Sequence, residues 1–171
     1  MLIVFTGVNT RVKISYCLLF LWFSCAAVNA DELHLIVSGK SIHFGTDTSF
    51  NENNWGIGFE YDFEEENNWI PLITGASFKD SLDNTSNYIG GGTKRRYLLG
   101  DDPEGLHLDA GVIGFVMTRQ DYKNNDPFLG ALPFISVGNS RFAVNITYVP
   151  KIVPKMVAFV YFQATFKLAE F

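Results

Sequence analysis

The chain has 171 residues, room for one domain, and carries a formal charge of −5. It is 47% hydrophobic and 15% aromatic, with 16 Phe, a load that suits a surface meeting lipid. Lys94-Arg95-Arg96 is the one basic cluster in the sequence, too small a footprint for a nucleic-acid partner.

The first element is an export signal. Arg11 and Lys13 precede an apolar run from Ile14 to Val28, and Val28-Asn29-Ala30 puts small residues at −3 and −1 of a cleavage point before Asp31. The run is 15 residues long, short of the roughly 20 that a spanning helix needs. Residues 1–30 are therefore expected to be a cleaved signal peptide and residues 31–171 the exported domain. An uncleaved anchor is the alternative. Cys17 and Cys25 both leave with the signal, so no disulfide, thiol nucleophile or cysteine-bound metal is expected in what remains. Arg11 and Lys13 leave too, and 11 basic against 18 acidic residues give the exported part a charge of −7.

Beyond the signal there is little 3.6-residue periodicity and no apolar helix of spanning length. Eight segments rich in β-branched, aromatic and Gly residues recur instead: Leu33–Gly45, Trp55–Phe63, Trp69–Lys79, Ser86–Leu98, Leu106–Thr118, Leu129–Gly138, Arg141–Val149 and Met156–Leu168. Polar, turn-prone clusters separate them, Glu64–Asn68 and Ser81–Thr85 among these. Each segment is about as long as a tilted strand must be to cross a bilayer. Lipid offers no partner to an open sheet edge. The prediction is an all-β fold, an eight-stranded antiparallel up-and-down transmembrane barrel. Segment two shows the alternation: Trp55, Ile57, Phe59, Tyr61 and Phe63 share one face, read as lipid-facing, and Gly56, Gly58, Glu60 and Asp62 the lumenal one. A soluble lipocalin-like barrel is the alternative. Phe171 favours the membrane, since a terminal aromatic is typical of barrels delivered to the outer-membrane assembly machinery. Lys167 shares the Phe171 phase, which leaves Ala169-Glu170-Phe171 open to being a short tail.

Segments five and eight are apolar on both phases, with Ile113, Phe115 and Met117 opposite Val112 and Val116, and Phe159 and Tyr161 opposite Val160 and Phe162. A water-filled porin would keep one phase polar. A dry lumen is expected, either packed solid or holding a hydrocarbon chain in an apolar interior pocket. Gly90-Gly91-Gly92 favours the pocket, although glycines can equally mark a strand bend.

His43 near the end of segment one and Asp80-Ser81 at the end of segment three fall at the same rim of an up-and-down barrel, where a base could activate a hydroxyl. Asp80 and Ser81 would face opposite sides of a regular strand, so a rim loop has to bring them together. His34 and His107 make no metal spacing with each other or with nearby carboxylates and read as ordinary barrel residues.

Three blocks resemble the lipid A palmitoyltransferase family, PagP: Phe78-Lys79-Asp80-Ser81, Leu132-Pro133-Phe134-Ile135-Ser136-Val137-Gly138, and Ile146-Thr147-Tyr148-Val149-Pro150. Trp55-Gly56-Ile57-Gly58-Phe59 and Val160-Tyr161-Phe162 fit in the same order, so the likeness runs from about Ile42 to Leu168. The resemblance implies an outer-membrane barrel that moves a palmitoyl-like chain from a phospholipid donor to a lipid A acceptor. By motif, the family's His, Asp and Ser fall on His43, Asp80 and Ser81, and its acyl-measuring glycine on Gly92. The prolines beside its lateral opening fall on Pro133 and Pro150, where a missing N–H weakens strand pairing. Asn54 and Ser38 stand where the family has two further prolines, which puts its second lateral opening in doubt. The family's amphipathic helix before the first strand is not apparent.

On this reading His43 is the base or proton shuttle, Asp80 orients it or binds a polar group, and Ser81 is a hydroxyl participant or oxyanion donor. No cofactor or metal is implied. A monomer in the outer membrane of a Gram-negative bacterium is expected. An esterase of the same site, and a lipid-binding or structural barrel without catalysis, are the alternatives.

Overall fold

The computed structural model describes residues 30–102, 104–122, 125–152 and 156–171. The expected signal segment lies, except for its last residue, outside them. Eight antiparallel strands close on themselves in sequence order. They are β1 (Ala30–Phe44), β2 (Asn53–Phe63), β3 (Trp69–Lys79), β4 (Thr85–Leu98), β5 (His107–Thr118), β6 (Phe128–Gly138), β7 (Phe142–Val149) and β8 (Ala158–Glu170). The starts of β1 and the end of β8 share one rim. The β1–β2, β3–β4, β5–β6 and β7–β8 loops share the other, called here the loop rim.

The strands obey period 2, and the faces are those segment two indicated. Trp55, Ile57, Phe59, Ile73, Ile89, Val112, Val116, Leu129 and Ile135 all point out and are exposed, Leu129 at 83%. Such an exterior is intelligible only against lipid, because an apolar patch this extended would not be left to water. Toward the terminal rim Arg95 also points out and lies over the rings of Trp69 and Tyr97, at 5.7 and 5.6 Å.

Turns follow local chemistry. Asn67 and Asn68 both have positive φ (54° and 66°), and Glu66 and Trp69 exchange two 2.9 Å backbone hydrogen bonds. This is the two-residue hairpin whose turn matches strand twist and which Asn tolerates well.

The lumen differs from the expectation of a dry interior. Its loop-side half is aromatic: Phe78, Tyr88, Phe115 and Tyr161 meet ring to ring, with centroids 5.5 to 6.3 Å apart. Its terminal half is ionic. Lys94 Nζ lies 2.7 Å from both Glu60 and Asp62. Arg96 donates two 3.0 Å bonds to Asp109, and Lys167 reaches Glu32 at 2.9 Å. The reason is positional. The apolar inward residues of β5 and β8 are those nearest the loop rim. The inward residues nearest the terminal rim are His107 and Asp109 on β5, and Gln163, Thr165 and Lys167 on β8. Lys167 therefore belongs to the lumen, and Ala169 and Glu170 continue β8 opposite Leu33 and Glu32 rather than forming a tail.

Close packing requires several lumenal glycines. A Cβ on Gly90 would stand 2.3 Å from the Gly114 carbonyl oxygen, and one on Gly92 2.0 Å from that of Val112. The glycines thus let β4 approach β5 closely, and the choice between bend and space in the Gly90-Gly91-Gly92 run falls first on the bend. Phe134 covers Gly111 and Phe115 covers Gly130, each from the directly opposed position, pairs that pin the register.

The wall is incomplete between β6 and β7. Phe134–Gly138 of β6 pair with Ala143–Thr147 of β7. Above them, residues 128–133 of β6 pair with β5, while Tyr148 and Val149 of β7 pair with β8. The gap opens toward the loop rim, with Pro133 on one side of it and Pro150 just past β7 on the other. By contrast the β1–β2 ladder continues through Ser38↔Gly56 to Lys40↔Asn53, past Ser38 and Asn54.

Candidate functional site

A bulge decides where His43 points. His34, Ile36 and Ser38 face the lumen, and strict alternation would turn His43 toward lipid. Between Ser38 and Lys40 the β1 register shifts against both neighbours; opposite β8, Ser38 and Lys40 pair with the consecutive residues Gln163 and Phe162. The extra residue, Gly39, reverses the phase. Ser41, 1% exposed, and His43 then face inward, while Ile42 and Phe44 face out. The imidazole is held between rings, stacked on Phe50 at 4.4 Å and tilted against Phe159 at 5.1 Å.

Ser81 arrives from the β3–β4 turn. His43 Nε2 and Ser81 Oγ are 2.9 Å apart, a hydrogen bond across a strand that separates β1 from β3. The β1–β2 loop clamps the pair. Asn51 donates its N–H to the Ser81 carbonyl at 2.9 Å and its side-chain amide to the Asp80 carbonyl at 3.2 Å. Asn54 donates to the Lys79 carbonyl at 2.9 Å.

The Asp80 carboxylate faces the turn that carries Ser81. It is buried, accepting from the Leu82 and Asn84 N–H groups at 2.9 and 3.0 Å and from the Ser86 hydroxyl at 2.9 Å. Arg119 stands 4.0 Å away. Asp83 takes positive φ, at 64°, as the turn closes onto Asp80. Asp80 thus builds the turn that carries Ser81, and among the described residues His43 is not one of its partners. The adjacency that puts Asp80 and Ser81 on opposite sides of a strand is resolved by this turn.

The carboxylate nearest the imidazole is one the sequence reading passed over. Glu52 Oε1 lies 3.9 Å from His43 Nδ1 and accepts the His43 backbone N–H at 3.4 Å. Both line a cleft of about 510 Å³ under the β1–β2 loop. The available signal was that Glu52 is the acid closest to Trp55 in the loop leaving β1. Ser86 and Arg119 were also missed; Ser86 is legible from the inward phase of β4.

Gly92 faces the lumen two residues from Lys94, just above the ionic half. Pro133 and Pro150 flank the gap in the wall. His34 makes no metal spacing with carboxylates along the sequence, but in the closed barrel it is grouped with two of them. Ligand atoms of Glu32, His34 and Asp62 lie within 4.8 Å of one another. Glu32 and His34 share a face of β1, and Asp62 is supplied by β2, so spacing along one strand does not reveal the group. Positive charge is already supplied there by Lys94 on Asp62 and Lys167 on Glu32. A cavity of about 20 Å³, lined in part by His107, Asp109 and Ser136, lies beside it, room for a single water.

Residues 42–163 match the model of a family described as "Antimicrobial peptide resistance and lipid A acylation protein PagP". The curated relatives include "Lipid A acyltransferase PagP" of Methylobacillus flagellatus, 33% identical over 60% of this chain and 54% of that one. Those of Laribacter hongkongensis, 33% identical over 59% and 47%, and of Yersinia enterocolitica, 30% identical over 60% and 49%, bear the same name. The chain spans about half the length of the curated relatives it matches. Among solved structures, that of Ail, the attachment invasion locus protein of Yersinia pestis, is similar at a TM-score of 0.37 and 11% identity, covering 82% of this chain and 99% of that one. The family match takes in His43, the Asp80-Ser81 turn, the ladder gap beside Pro133 and the glycine-lined wall of β4, and on it the chain belongs to the PagP family.

Proposed function

We propose that this protein is an outer-membrane acyltransferase that moves a palmitoyl-like chain from a phospholipid to lipid A. The observation that carries the reading is the 2.9 Å His43–Ser81 hydrogen bond, set at the loop rim directly above an aromatic half-lumen. The relatives' shared name, lipid A acyltransferase, supplies the reaction class and the acceptor. Residues 1–30 act as the export signal, the assembly machinery inserts residues 31–171, and the barrel works as a monomer.

The chemistry follows from the parts. An acceptor hydroxyl attacks the donor ester carbonyl. Its proton passes to His43 Nε2 and from there to the leaving alkoxide of the lysophospholipid, so one ester forms as one breaks. Ser81, on the same nitrogen, orients the imidazole and donates to the developing oxyanion. Asp80 holds the turn. The tail enters through the gap between β6 and β7, where Pro133 has no N–H to offer a neighbour and no ladder need be broken.

Acyl length is set at Gly92. A hydrocarbon end that reached past it would meet Lys94, Glu60 and Asp62, whose ion pairs leave no place for a methyl group. Gly92→Met is expected to shorten the chain accepted, read by competition among phosphatidylcholines of different acyl length. A barrel that refolds less stably is expected as well, because any Cβ there presses on the Val112 carbonyl. Unchanged acyl selectivity would refute the assignment.

Mass spectrometry of lipid A tests the whole reading, in a Gram-negative strain lacking its own palmitoyltransferase and expressing this gene. A new species heavier by one acyl chain is the expected result. Release of free fatty acid without that species would make the site an esterase. Neither product, from protein folded in the outer membrane, would leave a barrel that binds lipid.

A further inference from the structure

In acyl transfer His43 Nε2 takes up the acceptor hydroxyl's proton, so the imidazolium that forms depends on what faces the other nitrogen. With the Ser81 hydroxyl or an acceptor hydroxyl donating to Nε2, the ring's own hydrogen sits on Nδ1. That nitrogen is buried and, among the described residues, has no hydrogen-bond partner. Asp80 is directed elsewhere: its carboxylate accepts from the Leu82 and Asn84 N–H groups and the Ser86 hydroxyl, and among the described residues it makes no bond to His43.

We infer that Glu52 is the positioning residue for His43, a carboxylate that receives the Nδ1 hydrogen and steadies the imidazolium formed during acyl transfer. The inference rests on the proposed function of the His43–Ser81 pair. Glu52 Oε1 is 3.9 Å from Nδ1 and is tethered to the same residue through the His43 backbone N–H. A small rotation of the Glu52 side chain closes that distance to a hydrogen bond; such bonds are often long before substrate arrives. The backbone around Glu52 is already fixed: its carbonyl accepts the Ser41 N–H at 3.0 Å, Phe50 stacks on the imidazole and Asn51 holds the Ser81 carbonyl. One short segment, Phe50-Asn51-Glu52, therefore governs the ring's plane, its serine partner and its second nitrogen. Of the side chains lining the cleft, Lys40 and Glu52 carry charge, and Glu52 is the one within reach of the ring. The Glu52 side chain is 42% exposed, so small solutes can reach the place it occupies.

Steady-state acyl transfer by the full barrel, refolded in detergent with phosphatidylcholine as donor and purified lipid A as acceptor, separates the possibilities. Glu52→Ala is expected to lower kcat about 100-fold with KM near that of the unchanged protein. Added formate, a small carboxylate that fits the cleft, is expected to restore several-fold of that loss. Formate should do nothing for His43→Ala, and nothing for Asp80→Ala, whose defect is a broken turn. Nitrogen NMR of the histidine rings supplies a readout independent of turnover: Glu52→Ala should move the His43 hydrogen from Nδ1 toward Nε2. Circular dichroism checks that each variant is folded. Glu52→Ala with unchanged kcat and unchanged tautomer, alongside an inactive His43→Ala, overturns this inference and leaves the acyltransferase reading standing. A wild-type barrel that transfers no acyl chain overturns the acyltransferase reading and this inference with it.

Discussion

Replacing His43 by Ala is expected to lower acyl transfer by about 10²–10⁴-fold, the range over which a positioned acid–base group contributes. The imidazole is placed by three independent features: the Gly39 bulge that turns it inward, the Phe50 and Phe159 rings that fix its plane, and the 2.9 Å bond to Ser81. Among the described residues, His43 is the one histidine at this rim. Ser81→Ala should lose much of the same factor. The double variant should be little worse than His43→Ala, because groups acting as a unit do not add. Initial rates with a labelled phospholipid donor provide the measurement, with hydrolysis followed in parallel. Ser81→Ala should cost little stability, about 1 kcal/mol for one hydrogen bond, whereas His43→Ala also removes the ring packed between Phe50 and Phe159 and should lower the unfolding midpoint measurably. A His43→Ala barrel that transfers acyl chains at the original rate would show that the rim pair is structural and that the chemistry lies elsewhere.

Lys94→Met is expected to be the most destabilising single change in the lumen. The ammonium is buried, 4% exposed, and lies 2.7 Å from two carboxylates. Removing it leaves Glu60 and Asp62 uncompensated inside the barrel, at a cost of about 3–5 kcal/mol. Urea unfolding in detergent or lipid vesicles, followed by circular dichroism, would register that as a lowered midpoint. The triple change Lys94→Met, Glu60→Leu and Asp62→Leu should recover most of the loss, because apolar residues of similar volume commonly match a buried ion pair in stability. The triple variant also bears on function. With the ionic floor below Gly92 made apolar, longer acyl chains should be admitted. If Lys94→Met unfolds at the wild-type midpoint, the ionic half of the lumen is not what holds the barrel together.

Much of the architecture was legible in the residues alone. Strand existence and number follow from alternation and from Asn, Asp and Gly clusters, both of which are local. β3 begins at Trp69 and ends at Lys79 as read, and β2 turns its aromatic phase outward because Gly and acids fill the other. The PagP resemblance likewise drew His43, Asp80, Ser81 and Pro133 into one picture before any geometry was known.

What the residues alone left open are properties that exist between strands. The inward aim of His43 depends on one extra residue at Gly39, visible only when β1 is set against β2 and β8. That the Asp80 carboxylate holds the turn carrying Ser81 became visible only when the turn closed around Ser86 and Asn84. Glu52 came into reach of the imidazole only when the β1–β2 loop folded back over the rim. Lys94 and Arg96 stand in the sequence only as members of a small basic cluster, and cross-strand register brought them to Glu60, Asp62 and Asp109 in the lumen. Side-chain alternation is dictated by the backbone of a single strand, so the sequence alone determined the faces and the count. Register, bulges and loop return depend on which residues of different strands share hydrogen bonds, so the site and the charged floor beneath it were decided only by the closed barrel.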